Sequence, residues 1–431
     1  MFFLDFLPLF ITAFGIYFLI RLKFFFILHP VRVARRMLSL FKNKKIRQNL
    51  TLALAGTLGV GNIVGVAYGI SVGGAGCVFW IFVSGIFASV LKYAESTLAA
   101  DKREGKIGGI AYVLSKGRGG FGRASGILYS FLCIALSLSM GSALQSESFA
   151  SSLGGGVRYE AMLSFIFTLC VGAVILGGAN RIVKVTSHLI PTATVAYVLI
   201  CLFIILKNLG ALPEVFKNII TSAFDFRAMC GGVSTFFISK AMKEGFARGL
   251  LSNEAGAGTS AMAQSRSDIS PSDTGLLGIL EVFFDTTLLC TLTGVAILAS
   301  GVSTEVGGVG IILLAFRQVF GRWGGTLLSA LIFSFAFSTV ICWYYYGVES
   351  LSFVFGKRSF TAYAILFLLA SAVGFAVPVS HLMLISDLSL FFMSILTLFA
   401  LYKNSERIIL LSECGGLLKD SDRGKRLKAK R

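Results

Sequence analysis

The sequence predicts an all-α integral membrane protein with about 11 transmembrane helices. Hydrophobic residues make up 55% of the 431 residues and charged residues only 14%, and the mean hydropathy is +0.82, which is more apolar than soluble domains are. A helix needs ~20 apolar residues to cross a bilayer core ~30 Å thick. Segments of about that length lie at residues 5–28, 49–71, 76–98, 124–150, 160–178, 187–206, 229–250, 274–300, 322–347, 360–377 and 383–402. The apolar stretch 308–320 is shorter, and we expect it to be an interfacial or re-entrant helix.

The basic residues indicate the orientation of the chain and argue against a nucleic-acid partner. The net charge is +18, but the Lys and Arg residues lie in short segments between the apolar runs. Alternate loops on one side hold 27 of the 39 basic residues, and the opposite loops hold 6. Because basic loops tend to stay in the cytoplasm, this split predicts a cytoplasmic C-terminus and, with an odd number of spans, an external N-terminus.

The second apolar segment contains a sequence that predicts a broken helix. The stretch "LAGTLGVGNIVG" (54–65) has four glycines together with Thr57 and Asn62. Gly61 and Gly65 form a G-x-x-x-G pattern, which by itself is equally explained by close helix packing. Unwinding inside a membrane is tolerated where the freed backbone groups line a cavity, and such groups bind carboxylates and small cations. We therefore expect a binding site here.

A second broken helix is expected in the other half of the chain. Segment 229–250 lies five spans after the first break, which is the spacing of a 5+5 inverted repeat with one extra N-terminal helix. It contains four glycines, Gly231, Gly232, Gly245 and Gly249. The corresponding division of the chain is an N-terminal helix and basic loop at 1–48, a first repeat at 49–206, a second repeat at 207–403 and a basic tail at 404–431.

Six motifs, in order over nearly the whole chain, resemble those of the sodium:alanine (amino acid carrier, glycine/alanine:cation) symporter family. They are "LAGTLGVGNIVGVA", "GGAGCVFWIFVSG", "KYAESTLA", "ARGLLSNEAGAGTS", "VFFDTTLLCTLTG" and "FAFSTVICWYYYGVES". The resemblance implies the five-plus-five fold of neurotransmitter:sodium symporters and a secondary transporter that imports alanine or glycine with sodium.

Polar residues expected at mid-membrane are candidate sodium ligands. Counting 1.5 Å per residue along the eighth span brings Asp285 and Thr286 to mid-depth. One proposed site combines the carbonyls near Thr57 and Leu58 with Ser338 and Thr339, and a second combines Asn62 with Asp285 and Thr286. Two alternatives remain open at this point. Asp285 could instead pair with Lys240 or Lys243, and the hydroxyls could bond to a preceding helix carbonyl.

The substrate site is predicted around the first break. The backbone amides of Gly59, Gly61 and Asn62, with the Asn62 side chain, are expected to bind the substrate carboxylate. Trp343 follows Thr339 by one helical turn and shares its face, although a residue of the interfacial aromatic belt would fit the same position. The family resemblance places Gln145 and Trp343 at the side-chain end of the pocket. Lys92 and Glu95, an i, i+3 pair, are expected to form a surface or interdomain ion pair.

The function predicted from these features is sodium-coupled import of a small neutral amino acid across a bacterial-type plasma membrane. The partners are the amino acid, sodium and the lipid bilayer, and the prediction includes no cofactor, nucleic acid or protein partner. Proton coupling is the main alternative. A channel would need repeated rings of pore-lining residues, and a membrane enzyme would need a nucleophile with a base or a metal cluster, so both are less favoured.

Overall fold

The computed structural model describes residues 7–105, 107–117, 120–153, 156–225, 239–304, 308–356 and 360–418, and within them the chain is almost entirely helical. The α-helices are α1 (Leu7–Arg21), α2 (Phe25–Leu28), α3 (Pro30–Leu40), α4 (Lys44–Thr57), α5 (Val66–Gly73), α6 (Cys77–Asp101), α7 (Ile110–Ser115), α8 (Gly120–Leu138), α9 (Leu144–Leu153), α10 (Val157–Ile175), α11 (Gly178–Lys207), α12 (Leu212–Ala223), α13 (Lys240–Asn253), α14 (Ala261–Gln264), α15 (Pro271–Val282), α16 (Thr291–Ser300), α17 (Gly308–Phe320), α18 (Trp323–Phe355), α19 (Phe360–Val373), α20 (Val379–Lys403) and α21 (Ser405–Cys414). π-Helical turns occupy Gly61–Gly65, Ser139–Ala143 and Phe283–Cys290, and 3-10 turns occupy Leu209–Ala211 and Gly374–Ala376.

The predicted all-α membrane architecture is confirmed, with fewer full-length spans in the described ranges than the eleven expected. Seven helices are long and apolar enough to cross a membrane, and the bent pair Lys44–Thr57 and Gly61–Gly73 makes an eighth candidate. Leu7–Arg21, Gly308–Phe320 and Phe360–Ala376 are shorter apolar helices. The first predicted span, 5–28, stops early because Lys23 and Phe24 adopt the left-handed conformation, with φ of 54° and 52°.

The predicted break in the second span is present. Asn43 caps the start of α4, its Oδ1 accepting hydrogen bonds from the amides of Lys45 (2.9 Å) and Ile46 (3.4 Å). The helix ends at Thr57, and Leu58 leaves helical geometry with ψ of 71°. The chain resumes at Gly61 as a π-helical turn, and the two halves meet at 53°.

Two of the four glycines in the predicted second broken helix are not at a break. Gly245 and Gly249 are inside the continuous helix α13. Each is there for close packing, since a Cβ would stand 2.4 Å from Trp80 Cβ at Gly245 and 1.9 Å from Ser84 Oγ at Gly249. Gly231 and Gly232 lie outside the described residues. Irregular buried backbone instead follows α13, at 254–260.

Helix α18 carries its polar residues to the first break along one face. Thr339, Cys342, Trp343 and Tyr346 recur at the i, i+3, i+4, i+7 spacing that faces one neighbour, and that neighbour is α4. Cys342 Sγ, for example, donates to the carbonyl of Leu52 at 3.0 Å. The bundle thereby holds one side of the broken helix against a fixed row of side chains.

Candidate functional site

The break at 58–60 is contacted by side chains from two other helices. Thr339 Oγ1 of α18 donates a hydrogen bond to the carbonyl of Leu58 at 3.3 Å. Gln145 of α9 accepts one through Oε1 from the amide of Val60 at 3.4 Å. An added Cβ at Gly59 would lie 3.1 Å from Thr339 Oγ1 and 3.3 Å from Gln145 Oε1. The structure thus brings together three residues that the sequence predicted for the site: Gly59, Gln145 and Thr339.

The backbone amides at the break have partners within the protein. Gly59 N donates to the Thr57 carbonyl at 2.8 Å, and Asn62 N donates to the Gly59 carbonyl at 3.3 Å. A carboxylate that bound the Val60 amide would have to replace the Gln145 oxygen there. Gly61 is different, because it is exposed and an added Cβ would meet nothing within 4 Å. The accessible backbone is therefore at Gly61.

Asn62 and Asp285 form the centre of a buried polar group. Asn62 Nδ2 donates to Asp285 Oδ1 at 2.5 Å and to the Asp285 carbonyl at 3.3 Å. Ser252 Oγ and Thr286 Oγ1 donate to Asp285 Oδ2 at 2.7 and 2.8 Å. A charged Asp at bilayer centre costs ~2.5–3.5 kcal/mol, and hydrogen bonds to a charged group contribute ~1.5–3 kcal/mol each. These three donors offset that cost without a basic partner.

The alternative in which Asp285 pairs with Lys240 or Lys243 is wrong. Ser252 of α13 contacts the Asp285 carboxylate. Lys240 and Lys243 precede Ser252 on the same helix by 12 and 9 residues, which at 1.5 Å per residue is about 18 Å and about 13 Å. Neither ammonium group can reach the Asp285 carboxylate.

Two buried oxygens beside the break have no hydrogen-bond partner. They are Thr57 Oγ1 and Asn62 Oδ1, and both residues are only 4% exposed. Buried polar atoms normally find partners, so an unpartnered pair next to unwound backbone indicates a ligand that supplies the missing contacts. Unwound carbonyls and oxygen side chains are the groups that coordinate sodium at broken membrane helices.

The predicted serine ligand bonds within its own helix. Ser338 Oγ donates to the Phe335 carbonyl at 2.9 Å, which is the alternative that its sequence context left open. Its oxygen still has lone pairs, so it can accept a cation while keeping that bond. Thr339, in contrast, reaches across to the broken helix.

Trp343 is a buried packing residue against α4, so the interfacial-belt alternative is wrong. It is 0% exposed, and its Nε1 donates to the Gly56 carbonyl at 3.2 Å. Gly141 leaves room for the indole, because a Cβ there would stand 2.4 Å from Trp343 Cγ. Trp343 therefore contacts the broken helix two residues before Leu58.

Several residues of the site were not among those predicted from the sequence. Ser252 and Asn253 close the polar group from the end of α13, with Asn253 Nδ2 donating to Thr286 Oγ1 at 2.9 Å. Tyr197 of α11, with Phe335, borders a small gap beside Gly59 and Asn62. The polar pair at a helix end, in "LLSNEAG", was the available signal for Ser252 and Asn253. Tyr197 lies in an ordinary apolar run, and the sequence carried no signal for it.

A cavity leads to the break from one side. Its volume is about 730 Å³, and Lys44, Arg47, Lys184 and Leu58 are among its lining residues. The basic residues belong to loops and helix ends for which the charge distribution predicts a cytoplasmic position. From another direction, α17 packs against the π-helical turn at Gly61–Gly65.

Lys92 and Glu95 do not form the surface ion pair that their spacing suggested. Both are 0% exposed. Lys92 Nζ donates to Ser260 Oγ at 2.7 Å and to Glu281 Oε1 at 3.2 Å, and Glu95 Oε1 accepts from the amide of Gly256 at 2.5 Å. The i, i+3 rule applies to a solvated helix face, whereas α6 is packed between α13 and α15.

Comparisons with known proteins agree with this geometry. The model of the sodium:alanine symporter family matches residues 1–413. The "Sodium/alanine symporter AgcS" of Methanococcus maripaludis is 32% identical over 338 residues, 75% of this chain and 74% of that one. The "Amino-acid carrier protein AlsT" of Bacillus subtilis is 32% identical over 352 residues, 79% and 74% of the two chains. The crystal structure of MhsT in complex with L-phenylalanine superposes with a TM-score of 0.56 at 14% identity, covering 88% of this chain and 93% of MhsT. The fold is that of neurotransmitter:sodium symporter-like transporters.

Proposed function

Because the chain belongs to the sodium:alanine symporter family, we propose that it imports a small neutral amino acid, alanine or glycine, together with sodium by alternating access. The family and its named relatives support the coarser statement of a sodium-coupled amino acid symporter. The identity of the amino acid and the direction of transport are part of the proposal.

The observation that carries the proposal is the pair of unpartnered oxygens at the break. Thr57 Oγ1 and Asn62 Oδ1 are buried and lack donors, and the carboxylate of Asp285 lies on the other side of Asn62. Sodium would supply a positive charge to these two oxygens, which accept no hydrogen bond from the described residues. We assign one sodium position to the oxygens of Thr57, Leu58, Ser338 and Thr339, and a second to Asn62, Asp285 and Thr286.

The substrate is proposed to bind against the open side of the break. Its carboxylate is assigned to the backbone around Gly59, Gly61 and Asn62, where the half-helix N-terminus favours a negative group. Gln145, Thr339 and Trp343 are assigned to the wall around the rest of the molecule. Because Trp343 is packed against Gly56 and Gly141, it limits the space through the position of the broken helix.

Alternating access is supported by the one-sided cavity. The cavity lined by Lys44, Lys184 and Leu58 borders one side of the break, while α17 packs on the turn that follows the break. This corresponds to a state open toward the predicted cytoplasm. Each sodium ion that enters down a potential of ~100 mV releases ~2.3 kcal/mol, which can drive accumulation of the amino acid.

Uptake by proteoliposomes tests this function. Labelled alanine is offered to vesicles that contain the purified full chain, under an inward sodium gradient, an inward proton gradient or neither, with potassium replacing sodium in the control. We expect accumulation under the sodium gradient and faster labelled entry when unlabelled alanine is preloaded, because a carrier exchanges and a channel does not. Uptake that ignores sodium would contradict sodium coupling, and uptake driven by protons alone would favour the alternative.

A further inference from the structure

A second buried ionisable cluster lies apart from the break. Lys92 and Glu95 of α6, Glu281 of α15 and Glu254 of the turn after α13 are exposed by 0%, 0%, 0% and 3%. Three carboxyl groups therefore share one ammonium group in the interior of a membrane protein. With every group ionised the cluster would carry a net charge of −2, and buried charge without compensation is expensive.

Two of the carboxyl groups accept hydrogen bonds from side chains. Glu281 accepts from Lys92 Nζ at 3.2 Å through Oε1 and from Gln264 Nε2 through Oε2. Glu254 Oε2 accepts from Thr259 Oγ1. Both therefore have donors that stabilise a charged carboxylate.

The third carboxyl group is incomplete. Glu95 Oε1 accepts from the amide of Gly256 at 2.5 Å, and the backbone of Gly258 lies close to the same carboxyl group, but Glu95 Oε2 is buried with no partner in hydrogen-bonding geometry. The hydrogen bonds of Lys92 go to Ser260 and Glu281 instead. A bare, charged carboxylate oxygen beside other carboxylates is the arrangement that a bound proton relieves.

We propose that Glu95 holds an exchangeable proton, and that Glu95, Glu254, Glu281 and Lys92 form a proton-binding site separate from the proposed sodium sites. The charged and titratable groups that interact with Glu95 are Lys92 on its own helix and Glu281 on α15, and Tyr129 on α8. Glu254 after α13 interacts with Lys92 and Glu281. Because these groups interact, the site takes up its proton as a unit and Glu95 is the position that accepts it.

The proton would act on the irregular segment 254–260. This segment turns through three positive φ values, at Glu254 (54°), Gly256 (91°) and Gly258 (73°). Glu95 holds it at the Gly256 amide, and Tyr129 Oη holds it at the Ala257 carbonyl at 2.7 Å. Protonation weakens the charged hydrogen bond to Gly256.

The same segment follows directly on Ser252, which contacts Asp285. In addition, Glu281 and Asp285 are four residues apart, about one helical turn. The proton site is therefore connected to the proposed sodium site through segment 254–260 and through Glu281. Protonation of Glu95 should then change the transport rate, which makes transport depend on pH. That consequence rests on the proposed function, whereas proton binding itself does not.

Infrared spectroscopy of the purified full chain tests proton binding directly. Glutamate carrying ¹³C in its side-chain carboxyl separates the carbonyl band of protonated Glu from that of Asp. We expect the wild-type protein to show a protonated glutamic acid band at neutral pH that disappears on raising the pH. Glu95→Gln should lose that band. Glu214→Gln, which alters a carboxylate whose side chain is 65% exposed on α12, is the matched control and should keep it.

Absence of the band in wild type overturns the proposal whatever the variants do, so a Glu95→Gln variant that fails to fold leaves the test intact. A folded Glu95→Gln with an unchanged band also overturns it. In proteoliposomes, Glu95→Gln should keep sodium-driven alanine uptake and lose its pH dependence. If the wild type does not transport alanine at all, the proposed function fails while the infrared result still decides the proton site.

Discussion

Two glycines at the break give a matched pair of substitutions, Gly59→Ala and Gly61→Ala. Neither glycine has a positive φ, so alanine fits the backbone at both and the comparison isolates packing. At Gly59 the new methyl would stand 3.1 Å from Thr339 Oγ1 and 3.3 Å from Gln145 Oε1, whereas at Gly61 it meets nothing within 4 Å. Only Gly59→Ala must therefore push Thr339 and Gln145 away from the break.

The distances set the expected magnitudes. Forcing an extra carbon into packed surroundings costs ~1–3 kcal/mol, and ~1.4 kcal/mol is tenfold in an equilibrium constant, so Gly59→Ala should weaken alanine binding by roughly 5- to 150-fold. A substitution that touches no protein atom changes the stability by at most ~0.5 kcal/mol, so Gly61→Ala should keep the fold, and any loss of alanine affinity that it causes reports contact of the new methyl with the substrate.

Equilibrium binding of labelled alanine to the purified protein in saturating sodium measures both affinities. Thermal unfolding of the same samples shows whether either variant has lost its fold. An affinity of Gly59→Ala equal to that of the wild type would refute the assignment of Thr339 and Gln145 to the substrate site. A lowered melting temperature for Gly59→Ala with unchanged affinity would refute it as well.

Three further substitutions address the cations and the selectivity. Thr57→Val keeps the side-chain shape and removes the unpartnered hydroxyl. Losing a ~1.5–3 kcal/mol contact to a charge should raise the sodium concentration for half-maximal uptake roughly 10-fold or more. An unchanged sodium dependence would contradict the first sodium position. Asp285→Asn removes the only charge of the Asn62 group and should abolish the steep sodium dependence of uptake, while loss of a bell-shaped pH profile instead would indicate protons at Asp285. Trp343→Ala should lower stability by ~3–5 kcal/mol and extend competition for uptake toward valine, leucine and methionine; an unaltered rank order among competing amino acids removes Trp343 from the pocket.

The first break could be predicted because its signal is local. Four glycines with Thr57 and Asn62 within twelve residues are enough to disfavour a continuous helix, and the structure ends α4 at Thr57. Counting residues from the membrane face likewise predicted Asp285 at mid-depth and grouped it with Asn62, to which it is bonded. Both predictions depend only on distances along one helix.

The packing role of Gly245 and Gly249 and the buried cluster could not be predicted, because their causes are tertiary. Gly245 and Gly249 look like helix breakers in the sequence, yet they serve the contact of α13 with α6. Lys92 and Glu95 look like neighbours on an exposed face, yet Lys92 bonds to Glu281, which is 189 residues away in the chain. Sequence spacing shows which residues share a helix face and leaves open what that face contacts.

The π-helical turns lie at or next to the polar residues of the candidate site. In the described part of the chain they fall at Gly61–Gly65, Ser139–Ala143 and Phe283–Cys290. The first contains Asn62, the second ends just before Gln145, and the third contains Asp285 and Thr286. A π turn inserts a residue and re-aims side chains, at the expense of regular hydrogen bonding, and such turns concentrate at functional sites. Three separate segments thus depart from regular α-helix where their polar residues meet. This favours a site that must rearrange around its ligands over a polar group that serves only to hold the helices together.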